Sequence, residues 1–173
     1  MTTRRSFSLT LILIPLLLWG SACKRHRKSS GQVLTTTIFA GDPNIASHFV
    51  KGFWGVEDNS WRWTAKDFSV DLSAPLHSEQ RGAQLVVKLA VPDPVIQKLN
   101  SVQLSASIDG FKADPQTFTK PGQYTYTRDV PAEKMHETAP VRIDFSLDHA
   151  IPADANDHRE LGIIVTEVGL VAK

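Results

Sequence analysis

Three tryptophans, Trp54, Trp61 and Trp63, fall within ten residues, with Phe49 and Phe53 beside them. In Trp61-Arg62-Trp63 an extended backbone puts the two indoles on one face and the guanidinium on the other. A flat indole attracts the C–H groups of a sugar ring to its π face, so Trp54, Trp61, Arg62 and Trp63 are candidate ligand-binding residues. The same side chains suit the end of a β-sandwich core equally well; Trp63 leans toward that role, while Trp54 and Trp61 stay open between the two. Glu57 and Asp58 lie close to Arg62 in sequence, and an ion pair is its simplest expected use.

The densest polar stretch is Asp148, His149, Asp154, Asn156, Asp157 and His158. Oxygen ligands at short spacing on a loop can hold Ca²⁺, but Asp and Asn also cap turns. Turn caps are the expectation. The six histidines are scattered, with no two at metal-ligand spacing along a strand, so no metal is expected. The chain has no G-x-S-x-G, no G-x-x-x-x-G-K-[ST] and no H-E-x-x-H, so neither catalytic residues nor a cofactor are expected. Carboxylate pairs for glycoside cleavage are separated in space rather than in sequence, and no pair stands out from the 18 acids.

These residues sit behind an export-type N-terminus. Leu9 to Trp19 is apolar but only eleven residues long, about 16 Å as a helix and too short for a hydrocarbon core of roughly 30 Å. Arg4-Arg5-Ser6-Phe7 before it resembles a twin-arginine motif. Gly20-Ser21-Ala22-Cys23 after it resembles a bacterial lipobox, making Cys23 the expected lipidation site. The expected organisation is a signal peptide over 1–22, a basic lipid-anchored tether over 23–32, and one domain over 33–173. A lone cysteine excludes internal disulfides. All six basic residues of the first 28 precede any acid; from Ser29 onward 18 acids outnumber 13 bases. A mildly acidic domain lacks the clustered positive field that nucleic acid requires.

Period-two patterns dominate that domain. Strands are expected in Val33–Ala40, Trp61–Leu72, Gln84–Val91, Val102–Ile108, Tyr124–Thr127, Val141–Leu147 and Leu161–Val171, and Asp109-Gly110 supplies a hairpin turn. Pro94–Leu99 is expected to be a single turn linking two strands. The expectation is an all-β fold: an antiparallel, jelly-roll-like sandwich of about eight strands.

Gly52-Phe53-Trp54-Gly55-Val56-Glu57 with Trp61-Arg62-Trp63-Thr64, then Pro121-Gly122-Gln123-Tyr124, then Asp157-His158-Arg159-Glu160-Leu161-Gly162-Ile163 occur in this order. The order resembles small jelly-roll-like domains attached to bacterial membrane glycosyltransferases and other surface-polysaccharide proteins. Matching positions are Glu57, Trp61, Arg62, Trp63, Asp157, Arg159 and Gly162. The resemblance implies an accessory, carbohydrate-associated role outside the cytoplasm, and no catalytic residues. Asp157 and Arg159 are expected to clamp the last loop against the Glu57–Arg62 segment, with ligand binding as the other use of Glu57, Asp157 and Arg159. The functional expectation is a non-catalytic lipoprotein of a bacterial envelope that binds or helps organise a glycan, facing the periplasm or cell exterior. The alternatives are a module docking a membrane polysaccharide-assembly enzyme and, less favoured, a glycosidase or lyase.

Overall fold

The computed structural model describes residues 34–173, which lie in the second of two units that divide after Gly31. The expected signal peptide (1–22), lipidation site Cys23 and tether (23–32) fall outside the described residues. Among those described, no helix is long and apolar enough to cross a membrane.

Nine antiparallel strands carry the domain: β1 (Thr37–Phe39), β2 (Phe49–Glu57), β3 (Trp61–Leu72), β4 (Ala83–Val91), β5 (Val102–Ile108), β6 (Phe111–Phe118), β7 (Gly122–Val130), β8 (Val141–Leu147) and β9 (Ile164–Ala172). Strict alternation drives the assignment. In β8, Val141, Ile143, Phe145 and Leu147 are buried and the residues between them exposed; β5 alternates in the same way. A one-residue slip would turn these apolar sets into water, which fixes the register.

Hydrogen bonds run continuously through β6-β5-β8-β3-β9-β4-β7, with β2 on β3 and β1 on β9. The 12-residue β3 belongs to both halves. Its first residues, Arg62 and Trp63, pair with β9, and its last six, Asp67–Leu72, pair with β8. The two ends of the path meet: the Tyr126 hydroxyl on β7 donates to the Asp114 carbonyl on β6 at 3.0 Å, and Arg128 Nε reaches the same oxygen at 2.6 Å. The sheet thus curls into a nearly closed sandwich. Its core includes Phe68, Val70, Leu72, Leu85, Val87, Tyr126, Ile143, Phe145 and Leu170. Phe68 stacks on Phe145 across β3 and β8, centroids 4.8 Å apart and 15° between planes.

The structure departs from the expectation in several places, one of them β6, which lay outside the expected strands although Asp109-Gly110 announced the turn before it. β2 was not expected as a strand, because Gly52 and Gly55 interrupt its pattern. Gly52 has a φ of +71° where the β2–β3 register shifts, and a side chain there would run into the Asp67 carbonyl. Asp93–Leu99 is a seven-residue α-helix, not a single turn; Pro94 sits in its first turn, where a missing N–H costs nothing, and Val95 anchors it in the core. Of the strand expected over Val33–Ala40, the described part forms β1 at Thr37–Phe39, with the Thr36 carbonyl and the Ala40 N–H adding one hydrogen bond to β9 at either end.

Candidate functional site

Two groups of polar and aromatic residues sit on β2 and β3, at opposite ends of their hairpin. The first contains the tryptophans. Trp61 and Trp63 share a face as expected, but they meet edge to face, centroids 6.3 Å apart and planes at 78°. They form no coplanar platform, and Trp63 packs against the core. Trp54 is half-buried, and its indole Nε1 donates to the Glu160 carbonyl at 2.7 Å.

Arg62 does not pair with Glu57 or Asp58. Cross-strand partners share a face, and the register sets Val56 opposite Arg62 and Glu57 opposite Trp61, which puts Glu57 and the guanidinium on different faces. Arg62 instead donates to the Ala40 carbonyl at 2.9 Å and the Trp54 carbonyl at 3.0 Å, and it lies 4.7 Å over the Phe49 ring. Burial holds its pKa below the usual guanidinium value. Asp58 stands at the hairpin tip with φ of +49°, followed by Asn59 at +51°.

Arg159 joins two carboxylates. It grips Asp157 with both Nε (3.0 Å) and Nη2 (2.9 Å) and reaches Glu57 with Nη1 at 2.7 Å, tying the last loop to the end of β2. The side-chain and backbone N–H donors of Arg159 hold the Asp157 carboxyl down at about 2. Glu160 accepts from the Lys66 N–H at 2.8 Å. Gly162 follows; a Cβ there would meet Leu147 Cδ1, Thr64 Oγ1 and the Ala65 carbonyl at 2.5, 2.8 and 2.9 Å. In the nearby loop Asp154 Oδ1 accepts from the N–H groups of Asn156 and Asp157, a turn cap. Among the described residues no group of three His, Cys, Asp or Glu is placed to hold a metal ion.

The second group was not singled out from sequence. A trough of about 570 Å³ crosses the outer face of β2, β3, β8, β5 and β6. Four of its lining residues fall in one row along the register, with the buried Ser69 beneath them: Lys51 is opposite Ser69, Ser69 opposite Asp144, Asp144 opposite Ser107, and Ser107 opposite Lys112. The row thus reads cation, hydroxyl, carboxylate, hydroxyl, cation. Asp67, Ser146 and Ser105 form a shorter row beside it. Small serines in the two central strands make the floor low, and the longer side chains of β2 and β6 make the rims.

The two rows come from one repeated tripeptide. Asp67-Phe68-Ser69 and Asp144-Phe145-Ser146 pair antiparallel, so the phenylalanines stack inward and each aspartate faces the other strand's serine. The two halves are not equivalent. Ser146 Oγ donates to Asp67 Oδ1 at 2.6 Å, whereas Ser69 Oγ is buried without a partner and Asp144 makes no hydrogen bond or ion pair among the described residues; its nearby cation, Arg142, spends its donors on Asp71 and acts on Asp144 only through its charge. An unsatisfied buried hydroxyl costs about 1–3 kcal/mol. Lys51, Lys112, Ser105 and Ser107 likewise make no side-chain hydrogen bond or ion pair among the described residues.

No family model matches the chain, and no curated protein matches it in sequence. Solved structures with a similar sandwich include an acetyl xylan esterase (Est2A) from the rumen bacterium Butyrivibrio proteoclasticus, with TM-score 0.46 and 11% identity over 80% of this chain. This chain spans 32% of that protein's length. Another is the CBM36-1 domain of a multidomain xylanase from the hindgut metagenome of Trinervitermes trinervoides, with TM-score 0.42 and 11% identity over 80% of this chain and 97% of that one. Likeness at this level concerns the β-sandwich fold alone and carries no residue across.

Proposed function

We propose that this protein is a non-catalytic lipoprotein of a bacterial envelope, anchored through Cys23 and facing the periplasm or cell exterior, whose sandwich binds a glycan in the trough. The observation that supports glycan binding is the row of unpaired lysines, serines and carboxylate along an open groove. A hydroxyl-rich chain presents donors and acceptors along its length, and an elongated groove lined by ammonium, hydroxyl and carboxylate groups matches them. Charged side chains already on the surface and already solvated supply those contacts without first breaking an internal pair. The tryptophans take no part in the trough: Trp54 is held by the Glu160 carbonyl and Trp61 is turned edge-on to Trp63.

The test is titration of the full chain, in mild detergent, with envelope polysaccharides and oligosaccharide fragments. Saturable binding is expected, lost in Ser107→Tyr, a variant that fills the trough floor and leaves the melting temperature unchanged. Wild-type affinity in that variant, or no binding to any glycan, would sink the reading. In the latter case a stoichiometric protein partner recovered from envelope extracts would favour the docking role.

A further inference from the structure

The charges in the trough are ordered, and the order selects among glycans. From the geometry we infer that the trough seats a glycan bearing isolated free amino groups, with one ammonium held by Asp144 and Asp67; this rests on the trough being the glycan site.

The two halves of the D-F-S pair are unequal. In one half a serine hydroxyl already satisfies Asp67. In the other, Ser69 and Asp144 stand opposite each other with neither hydrogen-bonded, Ser69 Oγ is fully buried, and Arg142 beside Asp144 keeps its guanidinium on Asp71. An acceptor-only carboxylate calls for a donor, and an ammonium, with three donors, can engage Asp144 and the remaining lone pairs of Asp67 together. The two aspartates lie diagonally on adjacent strands, a neighbour relation within reach of one small cationic group.

The lysines restrict what carries that amine. Lys51 and Lys112 close the two ends of the same row, one on each rim, and neither comes within ion-pair distance of either carboxylate. A chain with an ammonium on every residue would place like charges against both rims. A chain with sparse amines, its other residues neutral or N-acetylated, meets the carboxylates at the centre and offers carbonyl and hydroxyl acceptors to the lysines. Another groove among the described residues, about 250 Å³ over β4, β7 and β9, lacks this character. There Lys88 pairs with Glu167 at 2.8 Å, the Tyr124 hydroxyl donates to the Lys120 carbonyl, and Thr166 donates to the Lys88 carbonyl.

The experiment titrates the full chain with three probes of equal length: a fully N-acetylated chito-oligosaccharide, a partially de-N-acetylated one, and a neutral cello-oligosaccharide. The partially de-N-acetylated probe is expected to bind at least tenfold tighter than the other two. That advantage should fall at high salt, and it should vanish in Asp144→Asn while the weaker binding of the other probes persists. Glu133→Gln, away from the trough, should leave all three affinities unchanged. Equal affinity for all three probes, lost in Ser107→Tyr, would overturn the amine assignment and leave the glycan reading standing. Amine-selective binding that survives Asp144→Asn would also overturn it. No binding of any probe would overturn the amine assignment, and the wider polysaccharide titration then decides the glycan reading separately.

Discussion

The two ends of the β2–β3 hairpin draw on the same kinds of residue and put them to opposite uses. At the Trp61 end nearly every conspicuous side chain is consumed by the fold: Arg62 by two carbonyls and a ring, Arg159 by two carboxylates, Trp54 by the Glu160 carbonyl. At the Lys51 end, lysine, serine and aspartate stand in a row with most of their donors and acceptors unused. The difference teaches that residue type alone does not mark a binding site. A guanidinium at a sandwich end must find partners, because burial without them is costly. Short polar side chains on an open sheet face are under no such demand, so leaving them unpaired is tolerated and available for a ligand.

The sharpest way to break the contrast is at Gly162. Gly162→Ala sets a methyl group against the Ala65 carbonyl, which cannot yield as the tip of Leu147 can. Thermal unfolding should show a loss of about 1–3 kcal/mol, with glycan affinity of the folded fraction unchanged. A smaller effect is expected at Arg159→Ala, which frees Asp157 and Glu57 from their shared cation and should lower the melting temperature by a few degrees. Its pH dependence carries the mechanism. The folded pKa of Asp157, about 2, lies below the ordinary carboxylate value near 4. The clamp's contribution is therefore complete above the ordinary value and fades as pH falls toward 2. Wild type and Arg159→Ala should converge in stability on acidification across that window; a gap unchanged by pH would mean the clamp acts by packing alone. The smallest change is expected at Ser69→Ala, which removes a buried, unpartnered hydroxyl; the relief of its cost is offset by the small void left behind, so the variant should be neutral or slightly stabilising. A clear loss of stability there would show that the hydroxyl has a partner in solution.

The fold was largely legible because strands such as Val102–Ile108 and Val141–Leu147 alternate without interruption, and alternation is a local property. β2 was not, since Gly52 and Gly55 break its period and its register shifts three times against β3. The trough was illegible for a different reason. Lys51, Ser69, Asp144, Ser107 and Lys112 come from five strands, and their alignment depends on pairings between segments as far apart as β3 and β8. Each is an ordinary outward polar residue in its own strand. One signal was present: the tripeptide D-F-S occurs twice, and its antiparallel pairing with itself places both aspartates on one face. The tryptophans and Arg62 drew attention by type, yet their partners, the backbone carbonyls of Glu160 for Trp54 and of Ala40 for Arg62, carry no sequence signature. Those contacts emerge only when distant loops close.

The place of β9 has a consequence for how the protein is made. This last strand of the described domain runs between β4 on one side and β1 and β3 on the other. Until residues 164–172 leave the ribosome, β4 and the start of β3 expose unpaired backbone edges to any neighbouring chain. A transcript cut short or a stalled ribosome therefore yields no smaller working version, only a half-built sheet prone to aggregation and proteolysis. Closure of the sandwich waits for β9, so a folded copy is also a certificate that translation reached that strand.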